Sequence, residues 1–537
     1  MLTMDGKNVE TTNVPKEFML ENTIVSKINH GLNYLLDGQV YKWEGKTQKI
    51  TSPIVLKEGL QTKQIELGER PLLTEFEAIS ALNSANKAYQ LGIGEWATMP
   101  VEKRIEYMEY FLSLIKKKEK NFAIIEMWEI AKSYQDCQDE FKRTVKYIEN
   151  TINTLRMIHD DTSDIKTIYG FIAQIRRCPL GTTLCMGPFN YPLNETFAML
   201  IPALIMGNTA IVKPPDYGSL CTLTLLEDFA KAFPPGVINI INGNGEEIIS
   251  PIIKSGKIDV LGFIGSTKVA NLLIKQHPYP NRLRTILGLE AKNSAFILSD
   301  ADLDLAVEEC LKGALEFNGQ RCTSIKHLWV HNNIKEKFLT KLCDELDKIK
   351  CGMPWEKDVL ITPLPEAGKI DYLKGLVEDA IEKGGKVVNK GGGNNIGNIF
   401  YPAVVYPVTK EMQLYHVEQF GPIIPISSFS DINEIVEYLI ESDYGQQASI
   451  FTKSTDFAAP LIDILVNQVS RINLNAQCRR GPDELPFTGR KNSGEGTLSV
   501  SDALRCFSIR SLVVANEQGK ELFCNVLASD KSEFLRF

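Results

Sequence analysis

One cysteine has neighbours that suit nucleophilic chemistry. Cys322 lies within residues 317–323, where a glycine, a glutamine, an arginine and a threonine accompany it, directly after an amphipathic run at residues 303–317. The thiolate is the attacking form of cysteine, and a neighbouring cation or helix dipole raises its population near neutral pH. The chain contains eleven cysteines, however, and most free cysteines are small buried apolar residues. Taken alone, the segment supports two interpretations of Cys322, as a nucleophile and as a core residue.

The composition bounds the class of protein. The chain has 537 residues, of which 44% are apolar and 23% charged, as expected of a globular protein with two or three domains. Its net charge of −8 argues against nucleic acid or an anionic membrane as the main partner. No secretory signal is visible and the odd number of cysteines includes no CxxC pair, so we expect a cytoplasmic protein. His327 and His331 lie in an apolar strand-like run, the wrong context for a helical metal site, and no metal is predicted.

The hydrophobic pattern predicts two α/β units. Helical spacing occurs at residues 75–91, 101–132 and 140–159, and residues 165–178 alternate about Gly170 as in an exposed hairpin. From residue 182 onward, short apolar strands alternate with helices, which predicts a doubly wound parallel sheet of the dinucleotide-binding type. A second α/β unit begins after residue 290. The strands predicted in the two units are residues 182–187, 208–213, 237–241, 260–264, 294–298 and 327–331.

Two glycine-containing segments are candidates for binding a dinucleotide phosphate. Gly243 and Gly245 give a GxG pattern, but Ile248 interrupts the usual fingerprint. Gly265 and Ser266 end a strand and open a helix at residues 268–276, where free backbone amides could hold a pyrophosphate. An ordinary N-cap turn has the same sequence pattern, so both interpretations remain open.

Five separated motifs, in one order, resemble those of the aldehyde dehydrogenase superfamily. They are PFNYP at 188–192, VKPP at 212–215, FIGST at 263–267, GQRCT at 319–323 and EQFGP at 418–422. With their spacing they cover roughly residues 75–515. Within the superfamily, FNYP, KPP, NGQRCT and the RGPD at 480–483 are similar to the non-phosphorylating glyceraldehyde-3-phosphate dehydrogenases. Those enzymes oxidise the aldehyde directly to 3-phosphoglycerate.

The resemblance implies an aldehyde dehydrogenase-like α/β fold, with a doubly wound parallel-sheet cofactor domain, a second α/β catalytic domain, and a small oligomerisation hairpin and tail. The expected parts are an extension at 1–30, the dinucleotide-binding domain at 31–289 with its hairpin at 165–178, the catalytic domain at 290–485, and a tail at 486–537 that returns to the cofactor or oligomerisation region. The strand-like residues 506–514 could join a sheet edge, including one in another subunit. A homodimer or homotetramer is the implied assembly.

The resemblance also implies catalytic roles. Cys322 attacks the aldehyde to give a thiohemiacetal, and hydride transfer to a nicotinamide then leaves a thioester. The Asn190 side chain and the Cys322 backbone amide stabilise the oxyanion, where a preorganised donor contributes about 3 kcal/mol. Tyr191, Arg321 and Arg480, together with Arg143, are the implied receivers of the substrate phosphate. Arginine suits this task because its planar fork binds phosphate with two hydrogen bonds.

The implied cofactor is NAD or NADP. Lys213 contacts the adenosine ribose, and Glu418 with Phe420 holds the nicotinamide ribose. The candidates for the phosphates are Gly245, Gly265 and Ser266. Asp216 follows Lys213 by three residues, where NAD-using relatives often carry a carboxylate, so the sequence slightly favours NAD. Lys213 could instead pair with a 2′-phosphate, which leaves NADP as the alternative.

One departure from the family concerns hydrolysis of the thioester. Relatives place a glutamate in a Glu-Leu-Gly-Gly-Lys motif, where it activates the deacylating water. Here Lys292 and the spacing from Cys322 put Gly288 at that position, and Glu290 follows two residues later. In a strand, positions i and i+2 share a face, so Glu290 is a candidate base displaced by about 7 Å, or a structural carboxylate that caps a turn.

Two other functions remain open on these residues. A superfamily member that passes the acyl group to coenzyme A or another thiol would lack the glutamate, as this chain does at Gly288. A non-catalytic relative would have no physical need for Asn190, Lys213, Cys322 and Glu418 together. A burst of reduced cofactor on adding aldehyde would exclude the non-catalytic relative, and adding coenzyme A would then separate the two enzymes.

Overall fold

The computed structural model describes residues 14–19, 32–58, 61–161, 164–529 and 531–535. The extension predicted at residues 1–30 therefore lies almost wholly outside the described residues. Within them, no helix is both long enough and apolar enough to cross a membrane.

The first α/β unit is built on an eight-stranded sheet. Its central strands are parallel and lie in the order Ile238–Ile240, Thr209–Val212, Thr182–Met186, Val260–Ile264 and Arg284–Gly288. Four of them, all except Arg284–Gly288, are buried along their whole length, as expected when helices cover both faces of a parallel sheet. Gln39–Lys42 and Asn33–Leu36 extend one edge, and Gly494–Glu495 pairs antiparallel at the other. The predicted doubly wound sheet is thus confirmed.

The second α/β unit is built on a seven-stranded sheet. Its strands lie in the order Lys386–Val387, Ala403–Tyr406, Ile423–Phe429, His327–His331, Ser294–Ile297, Gln447–Phe451 and Arg471–Leu474. All neighbouring pairs are parallel except the edge pair formed by Lys386–Val387. Two of these strands match the predicted strands at 294–298 and 327–331. The other five strands lie within residues 386–474, a region for which no strand was predicted.

The α-helices pack on both faces of these sheets and between them. Glu75–Tyr89 shows why they form where they do: Thr74 and Glu77 make a capping box at its start, and Ala78, Ala81, Leu82 and Ala85 give it a buried stripe. The other α-helices are Glu95–Thr98, Val101–Ile115, Glu119–Ile130, Tyr134–Asp161, Asn194–Ile205, Ser219–Leu223, Leu226–Ala232, Gly245–Lys254, Thr267–Gln276, Leu303–Leu315, Lys335–Leu346, Lys369–Glu382, Gln413–His416, Ile432–Glu441, Thr455–Leu465, Val500–Cys506 and Lys520–Ala528.

The single helix predicted at residues 101–132 is wrong. Val101–Ile115 is followed by a 3₁₀ turn, Lys116–Lys118, before Glu119–Ile130 begins. Lys118 has φ −105° and ψ 2°, which leaves the helical region, and Ala131 ends the second helix with φ 53°. Single-residue backbone changes of this kind do not disturb the hydrophobic spacing, so the pattern alone could not locate the break.

Two hairpins lie outside the main sheets. Lys166–Ile168 and Phe171–Pro179 pair antiparallel through Tyr169 and Gly170, whose positive φ values of 49° and 84° suit a tight two-residue turn. Ser508–Ala515 adds to the free side of Phe171–Pro179 in the same chain. A second hairpin, Thr47–Glu58 with Gln61–Pro71, was not predicted from the sequence. Short two-stranded pairs complete the fold, at Lys350–Cys351 with Val359–Ile361, Asn395–Ile396 with Ile399–Phe400, and Tyr444–Gly445 with Arg490–Lys491.

Candidate active site

A cavity of about 880 Å³ lies between the two α/β units. Its first wall is formed by residues that directly follow the parallel strands of the first sheet, where ligands bind in doubly wound folds. The second wall comes from the Cys322 segment and from residues 418–420 and 477–481. The predicted site residues in its lining are Arg143, Asn190, Tyr191, Lys213, Asp216, Gly265, Ser266, Glu290, Arg321, Cys322, Glu418, Phe420 and Arg480. Gly245 is not in the lining; it begins the helix Gly245–Lys254, where Asn244 is the N-cap.

Backbone strain turns the Cys322 segment towards the cavity. After the helix Leu303–Leu315, three successive residues take left-handed φ values: Phe317 at 48°, Asn318 at 57° and Gly319 at 68°. A Cβ on Gly319 would lie 2.6 Å from the Ala314 carbonyl oxygen, so glycine is required there. The Asn318 side chain holds the turn by accepting from the Thr362 backbone N–H at 2.8 Å. Such conformations cost energy and persist where a site needs a particular geometry.

Three side chains hold Cys322 and its neighbours. The Cys322 carbonyl oxygen accepts hydrogen bonds from Asn293 Nδ2 and from Lys326 Nζ, both at 2.8 Å. Asn190 Nδ2 donates to the Gln320 carbonyl oxygen at 2.8 Å, which ties the predicted oxyanion donor to the segment that carries the cysteine. The geometry therefore joins Asn190, on the first wall of the cavity, to the segment on the second wall that carries Cys322.

The electrostatic surroundings of Cys322 keep the thiol protonated. Burial, followed by the negative charge of Glu195, raises the pKa of Cys322 to about 11, although Lys326 and Arg480 act in the opposite direction. At neutral pH only about one molecule in ten thousand then carries the thiolate. Glu195 was not among the residues predicted from the sequence. It lies in the first turn of the helix Asn194–Ile205. The only indication in the sequence that Glu195 belongs to the site was its closeness to Asn190 in the chain.

A buried ionic cluster behind the cavity was also missed. Lys132 Nζ contacts Glu126 Oε1 at 3.1 Å, Glu140 Oε2, and the Asn190 carbonyl oxygen at 3.1 Å, and it lies 3.6 Å from the centre of the Tyr191 ring. Burial alone would lower the pKa of Lys132, but the two carboxylates raise it well above its usual value. These contacts hold the backbone that presents Asn190 and Tyr191. One feature of the sequence pointed to this cluster: Glu126 lies in a mostly apolar stretch. The helix Glu119–Ile130 is buried from residue 122 onward, so that charge must be paired inside the protein.

Each of the three predicted phosphate-binding arginines is already paired with a carboxylate. Arg143 makes a two-pronged contact with Asp483, at 2.8 and 2.5 Å. Arg480 contacts Glu195 and donates to the Leu498 carbonyl oxygen at 3.0 Å.

The third arginine, Arg321, contacts Glu316 Oε2 at 2.7 Å and donates to the Gly313 carbonyl oxygen at 3.2 Å. The three guanidinium groups therefore surround the cavity, but neighbouring carboxylates offset part of their charge. Lys312 adds a further cation to this lining.

The opposite end of the cavity has features that fit a dinucleotide. Lys213 Nζ contacts Asp216 Oδ1 at 2.8 Å and the Pro214 carbonyl oxygen at 3.1 Å. Ser266 is the N-cap of Thr267–Gln276, and its hydroxyl accepts from the Val269 N–H at 3.3 Å. Helix starts of this kind attract phosphate.

Glu418 and Phe420 lie on the second wall of this end. Glu418 Oε1 contacts Lys326 Nζ at 2.9 Å and accepts from the Ala291 N–H at 3.2 Å, while burial raises the pKa of Glu418. The Phe420 ring packs edge-on against Phe189, with 5.9 Å between ring centres. A helix start, a lysine and a buried carboxylate thus line one cavity, whose volume is large enough for a dinucleotide.

Gly288 and Glu290 have different surroundings. The strand Arg284–Gly288 ends at Gly288, so the alternation that would place Glu290 on the same face does not continue to residue 290. Glu290 Oε2 instead accepts from the Thr267 N–H at 3.0 Å, at the start of the helix that Ser266 caps. Both residues line the cavity, with the Glu290 carboxylate held at the cofactor end.

The chain was compared with known proteins. The model of the aldehyde dehydrogenase family matches residues 60–512. An NADP-dependent glyceraldehyde-3-phosphate dehydrogenase of Streptococcus equinus is 34% identical over 449 residues, which are 82% of this chain and 92% of the relative. The enzyme of the same name from Pisum sativum is 28% identical over 494 residues, 90% of this chain and 96% of the relative.

A solved structure is similar over almost the same range. The crystal structure of NADP-dependent glyceraldehyde-3-phosphate dehydrogenase from Bacillus halodurans, complexed with NADP, superposes with a TM-score of 0.82 at 30% identity. The match covers 90% of this chain and 99% of that one. The protein therefore belongs to the aldehyde dehydrogenase family, whose members are oxidoreductases acting on aldehydes, and the predicted aldehyde dehydrogenase-like fold is confirmed.

Proposed function

We propose that the protein oxidises glyceraldehyde 3-phosphate to 3-phosphoglycerate through a covalent intermediate on Cys322. The observation that carries this proposal is the convergence of Arg143, Arg321 and Arg480 on the cavity that contains Cys322. Guanidinium groups bind phosphate with paired hydrogen bonds, and the carboxylates that pair with these three arginines offset only part of their charge. The Streptococcus and Pisum relatives, both named glyceraldehyde-3-phosphate dehydrogenases, support the same substrate.

The residues of the chain divide the work of the first half-reaction. Cys322 Sγ bonds to the aldehyde carbon, and the Asn190 side chain with the Cys322 backbone N–H stabilises the developing oxyanion. Asn190 is preorganised for this task by its bond to the Gln320 carbonyl and by Lys132 beneath its own carbonyl. When bound, a nicotinamide dinucleotide accepts the hydride that the oxidation releases.

The second half-reaction is hydrolysis of the thioester on Cys322. Water adds to the acyl carbon, a base takes one proton from it, and the C–S bond breaks to return the cysteine and the acid. We retain Glu290 as the candidate base, although its Oε2 already accepts a hydrogen bond from the Thr267 N–H. Gly288 leaves the family's base position without a carboxylate, and this specific observation favours a second candidate function, in which a thiol such as coenzyme A takes the acyl group.

We propose NADP as the cofactor. Lys213 would contact the adenosine ribose, Ser266 and Gly265 the pyrophosphate, and Glu418 with Phe420 the nicotinamide ribose. The slight preference for NAD, predicted from Asp216, finds no support, because the Streptococcus, Pisum and Bacillus relatives are all named as NADP-dependent. Lys213, beside the ribose position, provides a cation for a 2′-phosphate.

A steady-state screen tests the proposed function. We expect kcat/KM for glyceraldehyde 3-phosphate with NADP to exceed that for unphosphorylated glyceraldehyde by a hundredfold or more, since two charge-assisted contacts are worth about 3 kcal/mol or more together. Adding coenzyme A should leave the rate unchanged if water is the acceptor. Equal kcat/KM for the two aldehydes would contradict the phosphate site, and a rate that requires coenzyme A would establish the second candidate.

A further inference from the structure

An arginine from the second hairpin contacts Asp216, a residue of the cavity lining. Arg70 lies in the strand Gln61–Pro71, and its side chain is only 5% exposed. Its Nη1 contacts Asp216 Oδ1 at 2.6 Å and Asn242 Oδ1 at 3.0 Å, and its Nη2 donates to Gln48 Oε1 at 2.6 Å. Two neutral side chains thus fix the guanidinium while it holds the carboxylate.

The contact changes the charge of the corner where Asp216 and Lys213 meet. Asp216 Oδ1 is shared by Lys213 Nζ and Arg70 Nη1. Burial would raise the pKa of Asp216, but the two cations lower it below its usual value, so the carboxylate is ionised at neutral pH. Lys213, Arg70 and Asp216 together therefore carry a net charge of +1.

That net charge bears on the distinction between NAD and NADP. A free carboxylate beside the adenosine ribose accepts from a 2′-hydroxyl and repels a 2′-phosphate. Here the Asp216 oxygen that faces Lys213 is bound by Arg70, and the remaining positive charge favours the phosphate dianion. The guanidinium is already immobilised by Asn242 and Gln48, so little conformational entropy is lost when the ligand binds.

We propose that Arg70 is a specificity-determining residue that neutralises Asp216 and thereby directs the protein to a cofactor with a 2′-phosphate. This inference rests on the proposed use of a nicotinamide dinucleotide. It gives the second hairpin, Thr47–Glu58 with Gln61–Pro71, a part in cofactor selection. It also gives a physical reason why a chain with a carboxylate three residues after Lys213 resembles NADP-dependent enzymes.

Cofactor titrations without aldehyde test the inference. NADPH and NADH are titrated by their fluorescence against the full-length protein and against Arg70→Gln, Asp216→Asn and the double variant. We expect Arg70→Gln to weaken NADPH binding about tenfold or more relative to NADH, because an unpaired carboxylate then faces the 2′-phosphate. Asp216→Asn in the same background should restore most of the lost NADPH affinity.

A matched control variant distinguishes a change in cofactor selectivity from a change in the stability of the hairpin. Lys49 pairs with Glu66 in the same hairpin, at 2.8 Å, but both side chains are largely exposed. Lys49→Gln should leave the NADPH to NADH ratio unchanged. If Arg70→Gln does not fold, Asp216→Asn alone, which keeps Arg70 and removes the anion, should increase the preference for NADPH.

Three results would overturn the inference. They are equal losses of NADPH and NADH affinity in Arg70→Gln, an unchanged preference in Asp216→Asn, and tighter binding of NADH than NADPH by the unmodified protein. Each of these outcomes is compatible with oxidation of glyceraldehyde 3-phosphate at Cys322. A failure of the inference is therefore distinct from a failure of the proposed function, which the aldehyde screen measures.

Discussion

Placing a glutamate at residue 288 should accelerate the slow step of the reaction. Without a carboxylate there, water activation is weak, and the thioester on Cys322 should accumulate after hydride transfer. We therefore expect the unmodified protein to show a burst of reduced cofactor near one equivalent per active site, followed by a slower steady rate. General-base assistance is typically worth about 10²–10⁴-fold, which sets the gain that Gly288→Glu can bring to the second phase.

The Cβ of a side chain at residue 288 would meet one close neighbour, Ile264. A Cβ on Gly288 would lie 3.2 Å from Ile264 Cγ1 and 3.6 Å from Cγ2, so the isoleucine side chain must move by only a few tenths of an ångström. Residue 288 ends a regular strand, and its φ lies outside the left-handed range that would strain a side chain. The companion Ile264→Ala removes both contacting Cγ atoms and is the control for crowding.

Stopped-flow measurement of reduced cofactor separates the two phases. Gly288→Glu, alone or with Ile264→Ala, should speed the second phase and reduce the contrast between the phases. Glu290→Gln should slow the second phase if Glu290 is the base, and should change mainly cofactor affinity if its role is to cap the helix at Thr267. A protein that shows no burst, and whose second phase responds to neither substitution, would refute the reasoning that deacylation limits turnover for want of a carboxylate.

Three further predictions concern the same cavity. Cys322→Ser should reduce aldehyde oxidation to below a few per cent, because a neutral hydroxyl is a much weaker nucleophile. Titration with NADPH should show a nearly unchanged affinity. Substantial residual activity would place the nucleophile elsewhere. Arg321→Gln should raise KM for glyceraldehyde 3-phosphate about tenfold or more and leave KM for unphosphorylated glyceraldehyde nearly unchanged, and equal effects on both would count against a phosphate contact. Alkylation of Cys322 by iodoacetamide should rise steeply with pH above neutrality, since burial and Glu195 raise the pKa of the thiol. Glu195→Gln removes the charge that raises this pKa and should shift the alkylation profile to lower pH; a profile shifted upward or unmoved would contradict the assignment.

The sequence alone determined the family and most of the cavity lining. The motifs that contain Asn190, Lys213, Ser266, Cys322 and Glu418 are local, since each consists of residues adjacent in the chain and keeps its order and spacing. The parallel sheet was likewise predictable, because strands buried on both faces are continuous apolar runs between helices.

Partners distant in the chain were decided only by the tertiary structure. Arg70 and Asp216 are 146 residues apart, Arg143 and Asp483 are 340 apart, and Arg480 and Glu195 are 285 apart. No periodicity or local motif links such positions. The sequence could therefore propose three phosphate-binding arginines, but it could not show that each is paired with a carboxylate.

Sequence patterns also could not predict the path of the backbone after a strand ends. The role of Glu290 depended on whether strand alternation continued past Gly288, and the chain instead turns so that the carboxylate meets the Thr267 amide. Side-chain periodicity predicts a direction only while the regular element lasts. Where it ends, the hydrogen-bond partners available in the folded chain decide which way a side chain points, and for Glu290 that partner is an amide 23 residues earlier in the chain.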